Sequence, residues 1–286
     1  MSSVQKTDQK VWAGLDISRY KIMGVLNVTP DSFSDGGKFA TRDNALRQAE
    51  CLIKDGADIL DIGGESTRPG AAPISPAQEQ DRILPIIEAG LPVPISVDTR
   101  HPETIRMAYH QGQVKIWNDV TALSSHRDSK QTALDLDVCL CLMHMQGQPQ
   151  TMQSNPTYRD VVAEVRESLL SQARTLVAAG KPAQAICLDV GIGFGKTLDH
   201  NLTLLNNLDQ FVDLPFAHLL GLSRKSYISK VMERAGHGTI PVDQRLPGSL
   251  SSLILAYQKG CRLFRVHDVA QTRQALEIAE QTLNAP

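Results

Sequence analysis

Eight short apolar runs punctuate the chain, at residues 22–26, 59–62, 94–97, 114–117, 138–143, 185–190, 217–222 and 263–266. Polar positions do not alternate through them, which is the pattern of strands buried on both faces, as in a parallel sheet under helices. Helical signals lie between. Thr41 is placed to cap a helix whose apolar residues Ala45, Leu46, Ala49, Leu52 and Ile53 recur at helical spacing, with Gly56 as its stop. Ser75-Pro76-Ala77-Gln78 has the form of a capping box with proline in the first turn, although Pro85 should kink or end that helix. Further helices are expected over 102–110, 158–179, 202–208, 225–235, 250–259 and 272–283. Strands and helices alternating in this way form a closed barrel or a doubly wound sheet. The pattern favours a single-domain (β/α)8 barrel, with a short strand or hairpin around residues 11–17 closing its bottom and residues 1–10 as a disordered tail.

The length of 286 residues suits one such barrel, which typically needs about 250. A net charge of −2 shows none of the basic excess of a general nucleic-acid binder. There are five cysteines and no Cys-x-x-Cys pair, so reduced thiols are expected rather than disulfides or a zinc site. Cys139 and Cys141, two apart, should share one strand face. The polar stretch from Ser2 to Lys10 has no apolar segment behind it, and no run reaches the ~18 residues of a membrane span. These features predict a cytoplasmic protein.

The chemistry lies at the ends of the runs. In order come Asn27, Gly63-Gly64-Glu65, Asp98, Asn118-Asp119, His144, Asp189, Ser223-Arg224-Lys225 and His267-Asp268, with Arg265 inside the last run. In a barrel these ends converge on one face, where an active site is assembled from several strands. Caps and strand ends account for Asp268 and Asp119. Asp98, Asp189, Lys225 and Arg265 need partners or a ligand. Two motifs fail on inspection. Residues 191–197 imitate a phosphate loop, but Val190 stands where its first glycine belongs and Lys196 where a dinucleotide fingerprint has its third. Substituting Lys196 is accordingly expected to cost little. His144 reads as a hydrogen-bonded structural residue rather than a metal ligand. The Asp-, Ser- and Gly-rich stretch 29–37 reads as a mobile lid over the barrel mouth.

Two stretches are more specific. Residues 24–37, GVLNVTPDSFSDGG, and 56–70, GADILDIGGESTRPG, resemble the two signature loops of dihydropteroate synthases. The resemblance continues through Ser96-Val97-Asp98-Thr99, Asn118-Asp119-Val120, Leu142-Met143-His144-Met145, Leu188-Asp189 with residues 191–196, Ser223 to Ser226, and Arg265 to Val269, in family order over nearly the whole chain. It implies a TIM barrel, a homodimer, Mg²⁺, a sulfonamide target, and transfer of a dihydropterin-methyl group to p-aminobenzoate with loss of pyrophosphate. Asp98, Asn118, Asp189 and Lys225 would line the pterin pocket, with Met143 and Phe194 beside the ring. Asn27, Arg265, His267 and Arg68 would hold the pyrophosphate, and Asn27 the metal. Phe33, Asp35, Thr67, Arg68, Pro69, Lys225 and Ser226 would complete the p-aminobenzoate site. Catalysis would rest on Asp98, Lys225, Arg265, His267 and Asp35.

Side-chain chemistry agrees with these roles. A carboxylate such as Asp189 can accept the paired ring N–H and amino group of a pterin edge, and lysine, which only donates, suits the pterin carbonyl and ring nitrogen. A dissociative substitution is expected, with the lid excluding water from a pterin-methyl cation. Val190 replaces a proline common after the pterin-binding aspartate, which would loosen Asp189, and Ser249-Leu250-Ser251 is bulkier than the family pattern, a packing matter. Two rival readings are a methyltetrahydrofolate–corrinoid methyltransferase and a non-catalytic pterin-binding relative.

Overall fold

The computed structural model describes residues 11–29, 38–66, 72–111, 113–148 and 151–285. Eight parallel strands form a closed barrel: β3 (Lys21–Asn27), β4 (Ile59–Gly63), β5 (Ile95–Asp98), β6 (Val114–Asp119), β7 (Cys139–Met143), β8 (Ile186–Asp189), β9 (Ala217–Gly221) and β10 (Leu263–Val266). Each of the eight apolar runs is one of these strands. Each strand pairs with the next, and β10 returns to β3 with Leu263 opposite Lys21.

Ten helices are described among these residues: α1 (Lys38–Lys54), α2 (Pro76–Ile87), α3 (Pro102–Tyr109), α4 (Ser129–Asp135), α5 (Val161–Ala178), α6 (Leu198–Asn206), α7 (Asp209–Val212), α8 (Ser226–Arg234), α9 (Leu246–Gln258) and α10 (Val269–Leu283). The Ser75–Gln78 capping box forms as expected. Other boundaries differ. Thr41 does not cap α1, which already begins at Lys38; apolar periodicity marks only the buried stretch of a helix. α2 runs through Pro85, because a proline in the last turn forfeits a single backbone bond before the helix ends at Ile87. α6 starts at Leu198, since Thr197 and His200 form a reciprocal cap. α4 and α7 are too short for periodicity to reveal.

Alternation along the strands divides the interior in two. One set of side chains, including Leu60, Ile62, Ile95, Val97, Trp117, Leu140, Leu142 and Leu188, packs outward against the helices. The other set, Met23, Ile59, Ile116, Cys141, Cys187, Ala217, Leu219 and Leu263, fills the lower barrel. A hairpin of β1 (Val11–Trp12) and β2 (Leu15–Asp16) closes that end as predicted, inserting Trp12 at 1% exposure with Ile17 into the inner core. Cys139 and Cys141 share this inner side, and all five cysteines are free thiols. Among the described residues no helix is long and apolar enough to cross a membrane.

Candidate active site

Continuing the inner positions upward, two residues at a time, replaces hydrocarbon with polar groups. Ile59 is followed by Asp61 and Gly63, Ile116 by Asn118, Cys187 by Asp189, and Leu263 by Arg265. The parallel register puts Asn27 beside Gly63, Gly63 beside Asp98, and Asp98 beside Asn118. Met143 lies beside Asp189 on the opposite arc. The strand-end residues read from the sequence therefore share one mouth.

Two clusters organise it. In the first, Arg265 donates through Nε to Asp61 Oδ2 at 2.6 Å and through Nη2 to Asp98 Oδ2 at 2.7 Å. Asn118 Nδ2 approaches the same Asp61 carboxylate at 3.2 and 3.4 Å. Asp61 is fully buried; the sequence reading passed over it as part of an apolar run. A carboxylate at an inner position of a strand was the available signal, because a buried charge needs a partner. Burial works against the Arg265 charge, yet the two carboxylates outweigh it and push the guanidinium's pKa up. Burial also raises the Asp98 carboxyl, with Arg265 pulling the other way. Two of the five guanidinium N–H groups serve these carboxylates, so donors remain on the terminal nitrogens for an anion in the mouth.

In the second cluster, Asp189 Oδ1 accepts Gly191 N at 2.8 Å. This turn fixes the carboxylate without the proline that Val190 replaces, and Val190 itself is buried. Both Asp189 oxygens keep lone pairs for a bidentate donor. On the neighbouring strand side, Lys225 donates to the Ile192 carbonyl and holds its ammonium 4.4 Å from the centre of the Phe194 ring. Burial lowers the Lys225 ammonium to about 8, with Asp189 opposing and Arg265 reinforcing the shift. Beneath them lies Lys196, 1% exposed, bonded to His144 Nδ1 at 3.1 Å, His144 O at 3.3 Å and Phe194 O at 2.9 Å. The hydrogen-bonded reading of His144 holds. A dispensable Lys196 does not fit this burial.

The turn after β9 aims Lys225. Arg224 adopts φ +59°, a left-handed conformation that costs a non-glycine residue of order 1 kcal/mol. Its N–H donates to Ser249 Oγ at 2.9 Å and its guanidinium pairs with both oxygens of Asp268. Ser249 is thus more than a packing variant. Ser226 is exposed at the start of α8. His267, just past β10, faces Ser223, whose Oγ lies 3.0 Å from Nδ1. Asp119 is structural, as expected: it accepts Thr121 N, Thr121 Oγ1 and Leu123 N. The base of the second signature loop is braced by Arg100 on Glu65 and by Arg82 on the Gly64 carbonyl. Phe33, Asp35, Thr67, Arg68, Pro69, most of the expected lid and the N-terminal tail lie outside the described residues.

The donor set bears on Mg²⁺. Among the described residues there is no cluster of three or more His, Cys, Asp or Glu side chains arranged for a metal. Asn27 places a single amide at the mouth, beside Gly63. That fits a hard cation taking most of its oxygen shell from water and substrate phosphate.

Residues 23–267 match the family of pterin binding enzymes. The chain is 44% identical over 274 residues to the dihydropteroate synthase of Haemophilus influenzae, covering 95% of this chain and 97% of that one. Among solved structures, the Xanthomonas albilineans dihydropteroate synthase with 4-aminobenzoic acid superimposes with a TM-score of 0.87 at 40% identity, over 95% of this chain and 96% of that one. The same organism's enzyme in complex with 7,8-dihydropteroate gives a TM-score of 0.84 at 38% identity, over 95% and 97%. With barrel, mouth residues and sequence in agreement, the chain belongs to the pterin-binding enzyme family, among its dihydropteroate synthases.

Proposed function

We propose that the chain joins 6-hydroxymethyl-7,8-dihydropterin pyrophosphate to p-aminobenzoate, giving 7,8-dihydropteroate and pyrophosphate in folate biosynthesis. The observation that carries the reading is the pairing at the mouth of a fixed acceptor, Asp189, with a fixed donor, Lys225, on adjacent strand ends. Together they match a heterocycle with donors on one edge and acceptors on the other. Met143, Asn118 and Phe194 frame the ring, and charged hydrogen bonds of this kind contribute about 1.5–3 kcal/mol each.

Arg265 and His267, one strand away, take the diphosphate. Asn27 is the protein ligand for Mg²⁺, which when bound neutralises charge on the leaving group. The bond from the pterin methylene carbon to the diphosphate oxygen breaks first, and the electron pair leaves with the diphosphate. The carbon, now cationic, is stabilised by the ring and by the Asp98 carboxylate. The unprotonated arylamine of p-aminobenzoate forms the new C–N bond and then releases its proton. Phe33, Asp35, Thr67, Arg68 and Pro69, with Lys225 and Ser226, complete the p-aminobenzoate side, and closure of the two loops keeps water from the cation. The protein acts in the cytoplasm, is a sulfonamide target, and forms a homodimer through α9 and α10. Leu255 and Ile278 on those helices are 59% and 62% exposed.

The test is release of pyrophosphate that requires both substrates, with Asp189→Ala losing most pterin affinity. Unchanged pterin binding by that variant would mean the pocket is misassigned. Methyl transfer from methyltetrahydrofolate without pyrophosphate release would favour the corrinoid reading, and pterin binding without turnover the non-catalytic one.

A further inference from the structure

We propose that Lys196 is a positioning residue for the pterin pocket. Its ammonium binds the end of β7 to the loop after β8 and so sets Asp189 and Phe194 against the ring. The inference rests on the pterin reading of the mouth.

Lys196 touches no position that a ligand in the mouth would occupy; it lies behind the pocket wall, almost entirely shielded from solvent. An ammonium has three N–H donors, and three acceptors meet this one: the His144 carbonyl, the His144 ring Nδ1 and the Phe194 carbonyl. Two acceptors belong to the residue following β7, and the third to the residue whose ring carries Lys225. The two segments are also pressed together along their backbones. Gly191 has φ +66°, and a Cβ there would lie 1.9 Å from the His144 carbonyl oxygen; at Gly195 it would lie 2.4 Å from the Gln146 oxygen. Only glycine allows so close an approach. His144 N completes the seam by donating to the Asp189 carbonyl at 2.9 Å, and Tyr158 Oη donates to Gly195 O at 2.9 Å.

The electrostatics suit this role. Burial, followed by the Lys196 charge, depresses His144 to about 3, so its ring stays neutral and Nδ1 is available as an acceptor. Burial lowers Lys196 itself to about 7, while Asp189 favours the charge and Lys225 disfavours it. Two carbonyls and a neutral imidazole hold an amine that is charged only as pH falls through about 7 and that, among the described residues, has no carboxylate in direct contact. A cation is costly there unless its hydrogen bonds are satisfied, so the arrangement is better explained by what it holds in place than by its own stability.

The experiment compares wild type, Lys196→Met and Lys196→Arg by steady-state kinetics in both substrates and by thermal unfolding. Lys196→Met should raise the KM for the pterin pyrophosphate about tenfold or more, the scale of lost charged hydrogen bonds. The KM for p-aminobenzoate should stay near wild type, and Lys196→Arg should recover part of the loss. A fall in kcat alone, an equal rise in both KM values, or wild-type kinetics from folded Lys196→Met would overturn the proposal. Should Lys196→Met not fold, His144→Leu removes one acceptor and leaves the two carbonyls. A smaller but equally selective rise is expected there, and its absence also counts against the proposal. A wild-type protein that releases no pyrophosphate would bring down the reading of the whole mouth. A wild-type enzyme that turns over while folded Lys196→Met matches it would bring down the Lys196 inference alone.

Discussion

Replacing Asp61 by asparagine is the sharpest perturbation the mouth offers, because it keeps shape while deleting a charge that two donors share. Asp61 is inaccessible to solvent and accepts from Arg265 Nε at 2.6 Å and from Asn118 Nδ2 at 3.2 Å. Both donors meet the same oxygen, Oδ2, so an amide that keeps its oxygen there retains the two bonds but loses the charge that holds Arg265, and one turned the other way sets its NH₂ against Arg265. Breaking a buried ion pair from one side costs about 3–5 kcal/mol. Arg265 keeps its 2.7 Å contact with Asp98, which puts the cost near the lower end. About 3 kcal/mol expressed wholly in the transition state lowers kcat/KM roughly a hundredfold. Expressed wholly in stability, it lowers the melting temperature by roughly 5–10 °C. Pyrophosphate release at varied pterin pyrophosphate, run beside differential scanning calorimetry, apportions the two. Kinetics and melting both indistinguishable from wild type would refute the claim that Asp61 anchors Arg265.

Two predictions concern pH. Burial raises Glu79 to about 7 from 4.5, with the Thr99 hydroxyl opposing. Because the fold binds this proton more tightly than the unfolded chain does, the stabilisation is complete below about pH 4.5 and fades as pH climbs through 7. The shift corresponds to about 3 kcal/mol. Urea unfolding at pH 5 and pH 8 should show that decline in wild type and a shallower one in Glu79→Gln; equal slopes would contradict it. Since burial lowers Lys225 to about 8, the charged donor is lost as pH rises past that value. Pterin affinity should then weaken, approaching about tenfold per pH unit, and titration calorimetry should find no such alkaline limb in Lys225→Met.

All eight strands were legible because a parallel barrel strand, covered on both faces, leaves a mainly apolar mark without polar alternation. The polar residue ending each run was legible for a related reason: at the rim the apolar environment stops. What stayed hidden depended on contacts between distant positions. Asp61 and Arg265 are 204 residues apart, and only closure of the sheet makes one explain the other. Asp61 could have been flagged by parity, two positions above Ile59 on the inner side, but a run with apolar residues on both faces conceals parity. Lys196 was set aside because the phosphate motifs around it failed, and a failed motif says nothing about burial. Ser249 looked like a size substitution since its partner, the strained Arg224 amide, lies 25 residues earlier. Helix starts were misplaced where capping, rather than periodicity, fixes the first turn, as at Thr197 and α6.

The last strand docks against the first strand of the barrel, Phe264 beside Ile22, so a ribosome must have released almost the entire polypeptide before the ring can shut. Arg265 arrives on that final strand, and until it does, Asp61 and Asp98 face one another without the cation that reconciles them. Assembly of the catalytic charge balance and completion of the circumference are therefore one event. A chain stopped short of β10 would gain neither, and such fragments should be left as substrates for proteolysis rather than as partly active enzyme.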